Sequence, residues 1–126
     1  MSSIPQELRY AKTHEWVQLT GNLIRIGITD HAQCELGALV FAEAKPAGTP
    51  VEPGQVIGSV ESVKTASDLY SPADGVVAAS NASLADQPEQ INSDPYASWF
   101  VEIELAAAEW PAGLMTAAEY KTFIGE

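Results

Sequence analysis

Short stretches of the chain alternate between apolar and polar residues with the period of two that is typical of β-strands. In the stretch 23–28, Ile24, Ile26 and Ile28 share one face, and Arg25 lies on the other. The stretch 101–105 alternates three apolar residues with two glutamates, which predicts a strand with one solvent-exposed face. Together with short apolar runs, this pattern predicts strands at 15–19, 23–28, 38–42, 55–63, 75–79 and 99–105.

Two short helices are predicted beside these strands. Asp30 is a candidate N-cap for a helical turn that ends before Gly37. Thr116 and Glu119 have the spacing of a capping box, so we expect a C-terminal helix at about 116–124. Many short strands with few helices favour a β-sandwich or barrel. Because no linker, repeat or low-complexity segment divides the sequence, we expect 1–126 to form a single domain.

Acidic residues outnumber basic ones by 17 to 6, which gives a net charge of −11. This charge is repelled by phosphate backbones and anionic lipids, so it argues against nucleic-acid and membrane partners. The first ten residues lack the basic and apolar layout of a signal peptide and the arginine-rich character of a transit peptide. We therefore expect a cytoplasmic protein, and the single cysteine, Cys34, excludes an intrachain disulfide.

The negative charge is concentrated in the second half of the chain. Residues 1–64 hold seven acids and five bases, a net charge of −2, whereas residues 65–126 hold ten acids and one base, a net charge of −9. No lysine or arginine occurs between Lys64 and Lys121. Lys64 therefore stands at the edge of a long segment without cations.

Lys64 is predicted to lie at the tip of a β-hairpin that covers about 54–75. One strand leads up to Val63, and the chain returns from Thr65 towards Tyr70. Two interpretations of an exposed lysine at such a tip are open. It is either an ordinary solvated side chain, or an amine that carries an acyl group in amide linkage and uses its stem as a flexible arm.

The stretch 58–65 also resembles a phosphate-binding P-loop, except that Val63 occupies the position of the glycine before the lysine. A β-branched residue does not adopt the backbone conformation that wraps a phosphate. Glu61 would also direct a negative charge into the loop. We therefore exclude a nucleotide site.

The segment Glu61–Asp68, followed by Ser71, Pro72 and Gly75, resembles the lipoylation site of glycine cleavage system H proteins. Further segments agree with that family in order and spacing, so the resemblance covers essentially the whole chain. These segments are 10–16, 27–33, 37–41 and 91–96. One departure lies at 96–99, where family members usually have a glycine and one more residue.

The resemblance implies a mainly β fold, the lipoyl/biotinyl-type β-sandwich or barrel-sandwich hybrid, with short peripheral helices and a C-terminal helix. It also implies a carrier rather than an enzyme, with lipoic acid in amide linkage on Lys64. Such a carrier takes an aminomethyl group from the glycine decarboxylase (P protein) to the aminomethyltransferase (T protein), which passes the one-carbon unit to tetrahydrofolate. It then passes electrons to the dihydrolipoyl dehydrogenase (L protein).

Further residue roles follow from the same resemblance. Glu61 and Gly75 match positions that the lipoylating enzyme recognises, with Gly75 as a turn that fixes the hairpin. An ordinary Asp-Gly turn is the alternative for Gly75. Thr13, Glu15 and Asp68 match a cleft that receives the loaded arm, where a carboxylate or hydroxyl would hold its amine. The alternative for these three residues is a solvated surface position.

Other functions remain as alternatives. A scaffold that passes lipoate to other enzymes would need the same Lys64. A biotin carrier would have methionines beside the lysine, where this chain has Val63 and Thr65. His31 and Cys34 have spacing suited to a metal, but no second pair accompanies them, so we predict no metal site. No arrangement of nucleophile, base and orienting residue predicts a self-sufficient enzyme.

Overall fold

Within residues 2–126, which the computed structural model describes, nine β-strands and four short helices follow one another along the chain. The strands are β1 (Arg9–Tyr10), β2 (Glu15–Thr20), β3 (Leu23–Ile28), β4 (Leu39–Ala44), β5 (Pro50–Val51), β6 (Val56–Ser62), β7 (Ala66–Tyr70), β8 (Gly75–Ser80) and β9 (Val101–Glu104). The helices are α1 (Asp30–Leu36), α2 (Ser83–Asp86), α3 (Gln90–Ser93) and α4 (Ala117–Phe123). None of these helices has the length and apolar character needed to cross a membrane.

The strands form two antiparallel sheets, which confirms the predicted mainly β architecture. The larger sheet has the order β1-β2-β3-β9-β8-β5, and the smaller sheet has the order β4-β6-β7. A tight turn joins β2 to β3, where Thr20 pairs with Leu23 and Gly21 adopts a left-handed φ of 61°. Glycine enters this region without the steric penalty of a side chain, so Gly21 allows the chain to reverse between β2 and β3.

The hydrophobic core contains the inward-facing side chains of both sheets. In the larger sheet, Ile24 pairs with Ile103 across β3 and β9, and both are fully buried. The smaller sheet contributes Ile57, Val60 and Leu69 to the same core. Burial of an aliphatic side chain of this size stabilises the folded state by about 1.5–3 kcal/mol. The core therefore holds the hairpin β6-β7 against the larger sheet.

Helix α1 begins one residue earlier than the sequence predicted, and the prediction of Asp30 as its N-cap is wrong. The N-cap is Thr29, whose hydroxyl accepts a hydrogen bond from the Ala32 amide at 3.1 Å. Asp30 is the first helical residue, and its carboxylate accepts from the Ser3 amide at 2.8 Å instead. The helix ends at Leu36, and Gly37 follows it as the predicted C-terminal glycine, with a positive φ of 83°.

The C-terminal helix α4 is confirmed with its capping box. The Thr116 hydroxyl accepts from the Glu119 amide, and the Glu119 carboxylate accepts from the Thr116 amide. Tyr120 is buried on this helix and stacks on Tyr10 of β1, with ring centroids 4.7 Å apart. Helix α4 therefore covers the β1 edge of the larger sheet.

The short loop 96–99, which departs from the family pattern, is closed by a buried serine. The Ser98 hydroxyl donates to the Asp94 carbonyl at 2.7 Å and lies 3.1 Å from the Gln90 carbonyl. These two carbonyls belong to α3 and the residue that follows it, so the serine ties the loop directly to that helix. Hydrogen bonding of the buried hydroxyl avoids the cost of desolvating it without a partner.

The two short helices α2 and α3 were not predicted from the sequence.

Candidate functional site

Lys64 lies in the turn that joins β6 to β7. The turn is closed by the Ser62 amide, which donates to the Thr65 carbonyl at 2.8 Å. The buried Ser62 hydroxyl accepts from the Lys64 amide at 3.1 Å and from the Thr65 amide at 3.2 Å. A serine side chain that satisfies backbone amides in this way stabilises a tight turn. Ser62 therefore fixes the backbone on which Lys64 is presented, a role that we did not assign from the sequence.

The Lys64 side chain is exposed and extends over the C-terminal end of α1. Its Nζ donates to the Glu35 carbonyl at 3.2 Å. A β-carbon added at Gly37 would lie 3.3 Å from Lys64 Cε, so the glycine leaves room for the stem. The unpaired carbonyls at a helix C-terminus favour a nearby cation. The amine thus rests against α1 through a single contact to a backbone carbonyl, which an approaching enzyme can break at small cost.

A cleft of about 300 Å³ opens beside this amine. It is lined by Thr13, His14, Ile28, His31, Ala32, Glu35, Leu36, Ser67 and Asp68. The structure therefore brings together two of the three residues that the sequence assigned to an arm-binding cleft, Thr13 and Asp68. Glu35 lines the cleft and also contacts Lys64. The lysine amine consequently lies at the rim of the cleft.

Glu15, the third residue assigned to that cleft, is only 1% exposed and lines a neighbouring cavity of about 450 Å³. The Thr13 hydroxyl donates to one of its carboxylate oxygens, and the Tyr70 amide donates to the other at 3.1 Å. Burial raises the pKa of the Glu15 carboxyl, and these hydrogen bonds oppose that rise. Because Thr13 lines both cavities, it connects the buried carboxylate with the cleft.

Two histidines that the sequence did not assign to the cleft lie in its wall. His14 has a left-handed φ of 72°, and its Nδ1 lies 2.8 Å from the Tyr120 hydroxyl. The rings of His14 and His31 have centroids 5.0 Å apart, and His31 Nε2 lies 3.9 Å from the Glu35 carboxylate. Burial lowers the pKa of His14, and the charge of a protonated His31 lowers it further. The cleft therefore combines imidazoles with hydroxyl and carboxylate groups.

Glu61 and Gly75 occupy different environments. Glu61 is exposed on β6, between its cross-strand partners Phe41 and Ala66. The prediction that Gly75 forms a turn is wrong, because Gly75 is the first residue of β8 and the turn precedes it. A β-carbon at Gly75 would lie 2.5 Å from the Glu104 carbonyl oxygen of β9. Close approach of the neighbouring strand, rather than turn geometry, requires glycine here.

His31 and Cys34 are the pair of residues whose spacing in the sequence suits a metal ion. Cys34 is exposed, and the Gln33 side-chain amide donates to its sulfur at 3.3 Å. Within residues 2–126 no group of three or more histidine, cysteine, aspartate or glutamate side chains is arranged to hold a metal ion. A structural zinc site requires four ligands, so this pair does not form one in the described part of the chain.

Comparison with known proteins gives a consistent result. The family model described as glycine cleavage H-protein matches residues 8–126. The glycine cleavage system H protein of Halalkalibacterium halodurans is 48% identical over 127 residues, which cover 100% of this chain and 99% of that protein. The corresponding protein of Bacillus cereus is 50% identical over 119 residues, 94% of each chain.

A solved structure agrees with the sequence comparisons. The crystal structure of a glycine cleavage system H protein from Mycobacterium marinum superposes with a TM-score of 0.88 at 36% identity. The match covers 98% of this chain and 100% of that chain. The family model, the full-length relatives and the solved structure all agree on one family. The chain therefore belongs to the glycine cleavage H-protein family.

Proposed function

We propose that this chain is a lipoyl carrier of the glycine cleavage system and that its attachment site is Lys64. The observation that carries the proposal is the position of the Lys64 amine, exposed at a hairpin tip and at the rim of a cleft. A carrier needs both features, because the arm must reach partner enzymes and must also withdraw between reactions. No catalytic role is proposed for the chain itself, which acts as a covalent substrate of its partners.

The residues present fit a lipoyl group in amide linkage. Lys64 first loses a proton, and its neutral Nζ then attacks the acyl carbon of lipoate activated as a mixed anhydride with a phosphate. The C–N bond forms, the bond from carbon to the phosphoryl oxygen breaks, and the amine releases a second proton. The lipoylating enzyme has to supply the base, because the Lys64 amine contacts a backbone carbonyl oxygen, which is too weak a base to take its proton. Glu61 is exposed three residues before Lys64, and we propose that the lipoylating enzyme recognises it.

Once bound, a lipoyl group would supply a disulfide that accepts an aminomethyl group together with its bonding electron pair, after the P protein has released the carboxyl group of glycine as CO2; the S–S bond would break and leave one sulfur as a thiol. The task of this chain is then to hold the terminal amine away from water. Thr13 and Asp68 offer a hydroxyl and a carboxylate at the cleft, and Glu15 lies behind Thr13. Charge-assisted hydrogen bonds of this kind are stronger than neutral ones. We propose that the T protein releases ammonia from the loaded arm and passes the one-carbon unit to tetrahydrofolate. The L protein would then reoxidise the dihydrolipoyl group to the disulfide.

The test of this proposal is intact-mass measurement of the chain after expression in lipoate-supplied cells. We expect one lipoyl increment on the parent chain and none on Lys64→Arg, which keeps the charge but cannot form the amide under these conditions. The purified lipoylated chain is then expected to support glycine decarboxylation with the P protein. A parent chain without the mass increment contradicts the attachment site. A modified chain that supports no decarboxylation contradicts the carrier role.

A further inference from the structure

Large apolar side chains are exposed around the hairpin tip. Val63 in the turn is 81% exposed, and Val40 and Phe41 of β4 are 58% and 40% exposed. Successive side chains of a regular strand face opposite sides of the sheet, so a regular β4 would bury one of the two adjacent residues. A break in register between Leu39 and Phe41 turns both towards the solvent. Irregularities of this kind re-aim side chains next to functional sites.

These side chains lie on the exposed side of the small sheet, beside the hairpin tip. Phe41, Glu61 and Ala66 are cross-strand partners on β4, β6 and β7, and all are exposed. Ser67, the next residue of β7, pairs with the buried Val60 and lines the cleft. Directly paired residues share one face, so Ser67 lies on the face of Val60, whereas Asp68 alternates back to the face of Ala66 and also lines the cleft. The exposed side of the small sheet therefore reaches the edge of the cleft. We name the exposed side the outer face and define it by Val40, Phe41, Glu61, Val63 and Ala66.

We propose that the outer face is the docking surface for the enzyme that attaches lipoate to Lys64. This inference rests on the proposed function and assigns its recognition surface. Acyl transfer requires the acyl carbon within about 3–3.5 Å of the attacking nitrogen. The attaching enzyme therefore has to close around the root of the arm, and it covers the side chains beside Lys64. Enzymes that act on the far end of a loaded arm do not have to approach the root so closely.

The chemistry of the outer face defines the partner surface. Phe41 and the two valines form an apolar centre, and Glu61 and Glu43 add negative charge on the exposed side of the same sheet. Exposed aromatic side chains often supply most of the binding energy of an interface, and charge complementarity sets its orientation. The matching surface on the lipoylating enzyme is an apolar depression with lysine or arginine residues at its rim.

The test compares lipoylation of unmodified variants by a purified lipoate ligase with lipoate and ATP. The variants Phe41→Ser and Val40→Ser change the outer face. Their matched controls are Phe123→Ser and Val76→Ser, which are similarly exposed residues at 48% and 45% outside this face. We expect kcat/KM of the ligase to fall about tenfold for Phe41→Ser and to stay within twofold of the parent for the controls. The affinity of the ligase for the unmodified chain should likewise fall for the outer-face variants and stay close to that of the parent for the controls.

The outcomes separate this inference from the proposed function. A parent chain that the ligase does not modify contradicts the proposed function. A modified parent with outer-face variants as fast as the controls overturns the docking surface alone. The docking surface is also overturned if these variants are lipoylated normally but fail in glycine decarboxylation, or if they only abolish a dimer. Thermal unfolding of every variant establishes that the rates compare folded chains.

Discussion

At the scale of single residues, His14 occupies an unusual position between three structural elements. Its backbone carbonyl accepts from the Thr29 amide at 3.1 Å, and its ring lies against His31 of α1. The Tyr120 hydroxyl of α4 lies 2.8 Å from both His14 Nδ1 and the Thr29 hydroxyl. A neutral imidazole can accept a hydrogen bond from Tyr120 at Nδ1, whereas a protonated ring can only donate there. The protonation state of His14 therefore affects the junction of α1, α4 and the cleft.

We predict that this residue makes the chain less stable as pH falls. Burial places the pKa of His14 below 6.5 in the folded state, so the unfolded chain binds more protons between that lower pKa and 6.5. The free energy of unfolding should therefore decrease as pH falls from 7.5 towards 5.5. His14→Asn removes the titrating group and keeps a residue type that tolerates positive φ. Urea denaturation of both chains at the two pH values measures the difference.

The comparison between variant and parent is needed because Glu15 acts in the opposite direction. Burial raises the pKa of its carboxyl, so the folded state binds more protons there and loses stability as pH rises from 4.5 towards that raised pKa. Both chains keep Glu15, and its contribution cancels in the difference. If His14→Asn loses as much stability as the parent between pH 7.5 and 5.5, the assignment to His14 is wrong.

At the scale of secondary-structure elements, the sequence predicts what depends on local pattern. The pattern of apolar residues along the sequence located β2, β3, β6 and β8 to within two residues, and a capping box located α4. The same patterns do not report how strands approach one another. The register shift at Val40, the left-handed backbone of His14 and the turn hydrogen bonds of Ser62 all depend on such contacts. The site was therefore predicted at Lys64, and much of its surroundings was not.

Gly75 is another position where the local sequence pattern does not report how closely strands approach one another. It gives a testable prediction for the β8-β9 pair. A β-carbon at this position would lie 2.6 Å from Ile103 Cγ2 as well as 2.5 Å from the Glu104 carbonyl oxygen. Because the second contact involves backbone, Gly75→Ala has to shift β9 or β8. We expect it to destabilise the fold by about 2 kcal/mol, measured by chemical denaturation.

The matched control is Val76→Ala, at the next and exposed position of β8, which should change stability by about 0.5 kcal/mol or less. An equal effect of the two variants would contradict the close-approach explanation. Lipoylation of folded Gly75→Ala is a separate measurement. A normal rate per folded molecule would remove Gly75 from the residues proposed to be recognised by the lipoylating enzyme.

At the scale of the whole molecule, the charge distribution bears on how partners meet the carrier. Residues 65–126 carry −9 of the net −11, and an amide on Lys64 would change the total from −11 to −12. Strongly negative surfaces attract positively charged partners over a distance set by the Debye length, about 8 Å at physiological ionic strength. Exposed acids such as Asp86 and Glu89 lie outside the site described above. They can affect the rate of encounter without contacting the arm.

We predict that encounter with the L protein depends on salt. For reoxidation of the reduced, lipoylated chain, kcat/KM should fall about tenfold between about 20 and 300 mM salt, with the change in KM rather than kcat. Free dihydrolipoamide, an uncharged substrate of the same enzyme, serves as the control and should show little salt dependence. The double variant Asp86→Asn/Glu89→Gln removes two of the negative charges and should flatten the slope for the chain. Equal slopes for the chain and for the free substrate would assign recognition to short-range contacts alone, in which case the acidic half would contribute nothing to the approach of this partner.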